Sequence, residues 1–211
     1  MIIAVDGPAA SGKGTLATGL ARHFGLPHLD TGLLYRAVGL AVGPDTGAPD
    51  FEARATTIAE SLDAAHLDTS RLGTAEVAVL ASRVARIPEV RAALRDFQRD
   101  FAAQPGGAVI DGRDIGTRIC PDADVKLFIT ADTGVRAERR TGQLRRRGIE
   151  ADRQEIARQI AARDEADKNN PAGAFYLARD AHLLDTTNLS IDAALRAAIG
   201  IVEAAMAGKS R

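Results

Sequence analysis

The stretch Gly7-Pro8-Ala9-Ala10-Ser11-Gly12-Lys13-Gly14-Thr15 has the residue types and spacing needed to hold phosphate. Glycines let a backbone wrap closely enough for successive N–H groups to point at an anion. A helix starting at Lys13 would add the partial positive charge of its N-terminus, and the lysine itself a full one. An apolar run, Ile2–Val5, precedes the stretch, and helical periodicity follows it, the strand–loop–helix context of a P-loop. One departure from the common pattern matters. Gly14 follows the lysine where a magnesium-holding Ser or Thr usually stands, and the hydroxyl is delayed to Thr15. Magnesium is therefore expected on the phosphates of ATP and on water, with few protein ligands.

Two further clusters follow apolar runs: Asp30-Thr31-Gly32-Leu33-Leu34-Tyr35-Arg36 and Asp111-Gly112-Arg113-Asp114-Ile115-Gly116-Thr117. Both would lie at the carboxyl ends of strands, where doubly wound sheets place their ligands. Asp111 reads either as a strand-end turn former or as a group ordering magnesium through water. Farther on, Arg139, Arg140, Arg145, Arg146 and Arg147 crowd one segment. Phosphoryl transfer concentrates negative charge, so arginines that close over it and exclude water are expected; a solvated basic helix face is the alternative. Arg163 and Asp167 stand four apart on one helical face, as an exposed ion pair would. The four histidines, His23, His28, His66 and His182, have no metal-ligand spacing.

The elements that must position these groups alternate short apolar runs with helical periodicity, the pattern of an α/β fold. Strands are expected at Ile2–Val5, His28–Leu29, Ala108–Ile110, Val125–Ile129 and His182–Leu184, their continuous apolar character suiting parallel strands buried on both faces. Helices are expected at Lys13–Phe24, Phe51–Ala65, Pro88–Ala103 and Ile191–Ala205, with Asp152 and Ser190 as caps. The Gly- and Pro-rich stretch 43–49 opens a small insertion flanking a substrate site. One domain spanning 1–211 is expected, a P-loop three-layer fold with a five-stranded parallel sheet between helices.

Composition narrows the classes. Net charge is −1, from 27 basic and 28 acidic residues, so bulk electrostatic nucleic-acid binding is disfavoured. The single cysteine, Cys120, cannot form an intrachain disulfide, and no apolar run is long enough to span a bilayer; a cytoplasmic protein outside the membrane is expected. Of the 27 cations only Lys13, Lys126, Lys168 and Lys209 are lysines, and arginine is the residue that grips phosphate bidentately.

Taken together, the Gly-Lys-Gly-Thr form of the P-loop, Asp-Thr-Gly-x-x-Tyr-Arg (30–36), Asp-Gly-Arg-Asp-Ile-Gly-Thr (111–117) and Arg163-Asp164-x-x-Asp167 resemble the bacterial cytidylate kinase family over nearly the whole chain. That resemblance implies transfer of the γ-phosphoryl of ATP, with Mg2+, to CMP or dCMP, by a monomer. It implies that Gly7–Thr15 cradle ATP and that Lys13, Arg113, Asp111 and Arg139 serve the transfer. Thr31, Ser82, Arg91 and Asp114 would read the cytosine edge, Tyr35 would pack beside the nucleotide, Arg36 and Arg113 would hold the acceptor phosphate, and Arg163 and Asp167 would contact the pentose. It also implies a shortened acceptor-binding insertion at 43–82 and a lid at 136–168. Asn170 stands where the family commonly has another arginine, a contact that is lost or supplied by Lys168 or an arginine elsewhere. Three other classes remain: a kinase for AMP, UMP or shikimate, a non-enzymatic nucleotide switch, and an RNA-associated P-loop protein.

Overall fold

The computed structural model describes residues 1–146, 148–170, 172 and 175–209. In chain order its elements are β1 (Ile2–Asp6), α1 (Lys13–Phe24), β2 (His28–Asp30), α2 (Thr31–Val42), α3 (Phe51–Glu60), α4 (Ala75–Val84), α5 (Pro88–Ala103), β3 (Ala108–Gly112), β4 (Val125–Thr130), α6 (Thr133–Arg146), α7 (Arg153–Lys168), β5 (His182–Asp185) and α8 (Ile191–Lys209). The strands form one parallel sheet in the order β2-β3-β1-β4-β5, with Ala4 opposite Ile110, Ile3 opposite Val125, Asp30 opposite Asp111 and Ile129 opposite Leu184. From β1 the chain steps to one side for β2 and β3 and later to the other for β4. This reversal opens a crevice above the carboxyl end of β1, where the phosphate-loop residues lie.

Alternation along the strands builds the layers. Ile3 and Val5 face α1 and α8 in a core with Leu16, Leu20, Leu127, Ile129, Ala198 and Val202. Ala4 and Ile110 face the other way, against Ala102 of α5 and the π-helical turn Ile115–Ile119. The expectation of strands buried on both faces holds for β1 and β3, which are buried almost throughout. It fails at the sheet edges, where β2 is half-buried and β5 buries only Leu184. An edge strand has a neighbour on one side alone and lies at the limit of the helical cover.

Helix boundaries differ in the segment before α4. The helix expected over 51–65 ends at Glu60, with Ser61 as its C-terminal cap through a backbone bond to Thr57 (3.2 Å), and only a single 3-10 turn, Ala64–His66, follows. Helix α4 is absent from the sequence reading. Thr74 caps it by accepting the Val77 N–H, and Val77, Ala81 and Val84 are its buried residues. Segment 43–82 contains helices and turns but no strand. Asp152 and Ser190 cap their helices as expected. α6 and α7 pack as a hairpin through Ala137, Leu144, Ile156 and Ile160, with Ala10 of the phosphate loop against them. Among the described residues no helix is long and apolar enough to cross a membrane.

Candidate active site

The crevice is a cleft of about 1710 Å³ running from the 7–15 loop, past the ends of β2 and β3, to α4 and α7. Residues Ala9–Thr15 line it, while Gly7 and Pro8 are buried beneath. A Cβ on Gly7 would fall 2.2 Å from the carbonyl oxygen of Ile129, so only glycine lets the loop lie this close to β4. Gly12, at φ 92°, turns the chain into α1, whose first N–H groups receive no side-chain cap from it. Ala10 holds a positive φ of 59°, a strained setting for a residue with a Cβ. The Ser11 hydroxyl is buried without a partner among the described residues. Together these features leave open donors facing the cleft, as an oxyanion requires. Burial pulls the Lys13 ammonium down to about 8, helped by the nearby positive charge of Arg113 and opposed by Asp111 and Asp30.

Two carboxylates stand together at the ends of β2 and β3. Asp30 lies opposite Asp111 in the sheet and caps α2 by accepting the Gly32 N–H at 2.9 Å. Its carboxyl is pushed up by burial and by the like charge of Asp111. Asp111 is 1% exposed and sits beneath the cleft lining, its Oδ2 2.8 Å from Nε2 of His28. A side chain at position 14 would begin 3.9 Å from that same Oδ2, so a carboxylate borders the place of the missing hydroxyl. Among the described residues no three His, Cys, Asp or Glu side chains could cage a metal. Such a site fits magnesium carried on nucleotide phosphates and touched by the protein through water, with Asp111 as the group to hold that water.

Across the cleft, Arg91 and Asp114 form a buried ion pair, with Arg91 also 5.7 Å above the Tyr35 ring. Arg91 and Ser82 both line the cleft, together with Thr31 and Asp114. Thr31 donates to the carbonyl of Asp111 (2.9 Å) and Ser82 to that of Ala78 (3.1 Å), so both protons are spent and only acceptor lone pairs face a ligand. Donors for an acceptor-rich base edge must come from Arg91. Arg36 also lines the cleft while donating to the carbonyl of Leu72 at 2.7 Å.

The arginines of α6 divide. Arg139, Arg140 and Arg146 line the cleft. Arg139 is tied to Thr186, donating to its hydroxyl (3.0 Å) and its carbonyl (2.7 Å), next to Ser11. Arg145 turns away and donates to the carbonyl of Ala151, which corrects its assignment to the phosphate-facing set; Arg147 lies outside the described residues. Arg163 and Asp167 both line the cleft, and the alternative reading, an exposed i,i+4 ion pair between them, is not what forms. Asp167 instead binds Arg113 Nε at 2.7 Å, and Arg163 Nε is buried without a hydrogen bond among the described residues. Burial and the charge of Arg113 bring Arg163 down to about 10, still cationic at neutral pH. Lys168 is exposed and outside the cleft, so it does not replace a cation at 170. Asn170 spends its amide on the fold, donating to the carbonyl of Ala85 (3.1 Å) and accepting the Ala172 N–H (3.0 Å).

Several positioning groups escaped the sequence reading. Asp6 ends β1 and accepts the N–H groups of Ile115 and Gly116, pinning the turn after Asp114; burial raises its carboxyl to about 6. Arg136 is buried and joins the carbonyls of Ala131 and Ala9 to Asp164, linking the loop to the α6–α7 hairpin. The contact of His28 with Asp111 depends on the β2–β3 register, which no local pattern reveals.

The crystal structure of an uncharacterized protein from Eubacterium ventriosum superposes with a TM-score of 0.55 at 17% identity, covering 96% of this chain and 98% of that one, a likeness of fold. Much closer in sequence are proteins named cytidylate kinase. One from Rhodopseudomonas palustris strain BisA53 is 54% identical over the full length of both chains. Another, from Afipia carboxidovorans, is 55% identical over 98% of this chain and 99% of its own. The cytidylate kinase family model matches residues 3–204. With a glycine-rich loop, a buried Arg–Asp pair and arginines of α6 on one cleft, and with this match along its length, the chain belongs to the cytidylate kinase family.

Proposed function

We propose that the enzyme transfers the γ-phosphoryl group of ATP to CMP and dCMP, giving ADP with CDP or dCDP. The observation that carries this reading is the buried Arg91–Asp114 pair facing the same cleft as the phosphate loop. The carboxylate can accept from the cytosine amino group, and Arg91 can donate to ring N3 and the carbonyl. In uracil that amino group becomes a carbonyl, which would set oxygen against oxygen. Residues 43–82 serve as a short acceptor-binding insertion and 136–168 as the lid.

The chemistry asks for alignment more than for proton transfer. An oxygen of the acceptor phosphate bonds to the γ-phosphorus while the bond to the β–γ bridging oxygen breaks, and ADP leaves. The attacking phosphate is already largely ionised at neutral pH, its second pKa being near 6, so no general base is needed. Lys13 and the uncapped N-terminus of α1 hold the donor phosphates, and Arg113 and Arg163 meet the acceptor phosphate and pentose. Magnesium, when bound on the nucleotide, supplies neutralisation of the charge shared by β- and γ-oxygens. Arg139, braced on Thr186 beside Ser11, lies next to the donor loop. A coupled assay of ADP release across CMP, dCMP, UMP and AMP tests the assignment: turnover with CMP and dCMP well above AMP is expected, and equal turnover with AMP, or none with CMP, overturns it.

A further inference from the structure

This chain is poor in aromatics, with six Phe, two Tyr and no Trp, yet two aromatic rings line the cleft, and each lies beside an arginine. Tyr35 is under Arg91; Phe175 is under Arg113, whose guanidinium carbon lies 6.0 Å from the ring centroid. Phe175 is stacked in turn on Phe128 of β4, centroids 5.3 Å apart and planes 28° apart, so a rigid sheet residue backs it. Nearby, Asn170 donates to the carbonyl of Ala85 and Arg118 to that of Ala172 at 2.9 Å.

Resting on the CMP kinase reading, we propose that Phe175 is a positioning residue for the acceptor, setting the plane of the Arg113 guanidinium. A ring face holds a guanidinium without consuming any of its in-plane N–H groups. Arg113 spends Nε on Asp167 and Nη1 on its neighbour Gly112 (3.3 Å), while Nη2 makes no hydrogen bond among the described residues. The ring therefore orients the arginine while leaving donors for an anionic oxygen. Without it, only Asp167 and the long contact to Gly112 would tether the guanidinium, and the looser plane would cost alignment with the acceptor phosphate.

The test compares wild type with F175A, F175L and F175Y. KM for CMP is expected to rise about fivefold or more in F175A, less in F175L, and to recover in F175Y, with KM for ATP within about twofold throughout. A rise in both KM values together with a lower Tm would assign the ring a merely structural role and overturn the proposal, as would an unchanged KM for CMP. In F175W the sole tryptophan of the protein reports the site without turnover, and saturable fluorescence change with CMP but not with ATP alone is expected. No response to CMP at concentrations that saturate wild-type turnover contradicts the placement. Absence of wild-type turnover with CMP would instead refute the underlying function.

Discussion

Replacing Lys13 with methionine is expected to lower kcat about 100- to 1,000-fold, the loss typical of removing one preorganised group that meets developing charge. The substitution keeps most of the length of the side chain, and Lys13 makes no ion pair among the described residues, so the melting temperature should change little. The same lysine sets a pH limit. Its ammonium is drawn down to about 8 by burial and by Arg113, and only the protonated form attracts phosphate. kcat/KM for ATP, which reports the free enzyme, should therefore be level below pH 8 and fall above it, approaching about one decade per pH unit. Bound triphosphate stabilises the ammonium, so kcat at saturation should hold to higher pH. A flat kcat/KM profile to pH 10 would contradict this assignment of the charge.

Asp114→Ala should damage both binding and folding. It leaves Arg91, only 9% exposed, as a buried cation without its carboxylate. Breaking a buried pair from one side costs about 3–5 kcal/mol. For a chain of this size about 2–4 °C of melting temperature accompanies each kcal/mol, so a drop of roughly 10 °C is expected by calorimetry. Asp114→Asn keeps an oxygen for Arg91 and should lose less stability. It presents an amide in place of the carboxylate, so its preference for CMP over UMP should fall by about 100-fold or more while KM for ATP stays unchanged. Unaltered CMP kinetics in Asp114→Asn would refute the base-reading role.

Much of this site was legible because its residues sit in local patterns with local causes. The 7–15 loop, the two Asp-Gly-containing strand ends and the helices α1 and α5 follow from glycine placement, apolar runs and Pro88. What was not legible depends on separation along the chain. His28 meets Asp111, Asp6 meets the turn at Ile115 and Gly116, and Arg113 meets Asp167 only after strands and helices have been assigned neighbours. The spacing of Arg163 and Asp167 left open a local ion pair or a shared ligand site, and Asp167 takes a partner 54 residues away, which spacing alone does not reveal. Helix α4 was missed because its buried stripe is thin, two valines and an alanine, and its best signal is the cap at Thr74. The arginine-rich segment illustrates a different limit. Sequence shows that charge is concentrated there, but packing decides that Arg136 becomes a structural strut, Arg145 a turn clamp and Arg139 a neighbour of the phosphate loop.

The most direct measurement is product stoichiometry by chromatography on a reaction of purified enzyme with ATP, magnesium and CMP. One CDP formed for each ADP, with no ADP released when CMP is omitted, is the expected result. ADP appearing without CDP, at a rate indifferent to CMP, would show that the cleft hydrolyses ATP and does not join it to an acceptor, and would contradict the assignment.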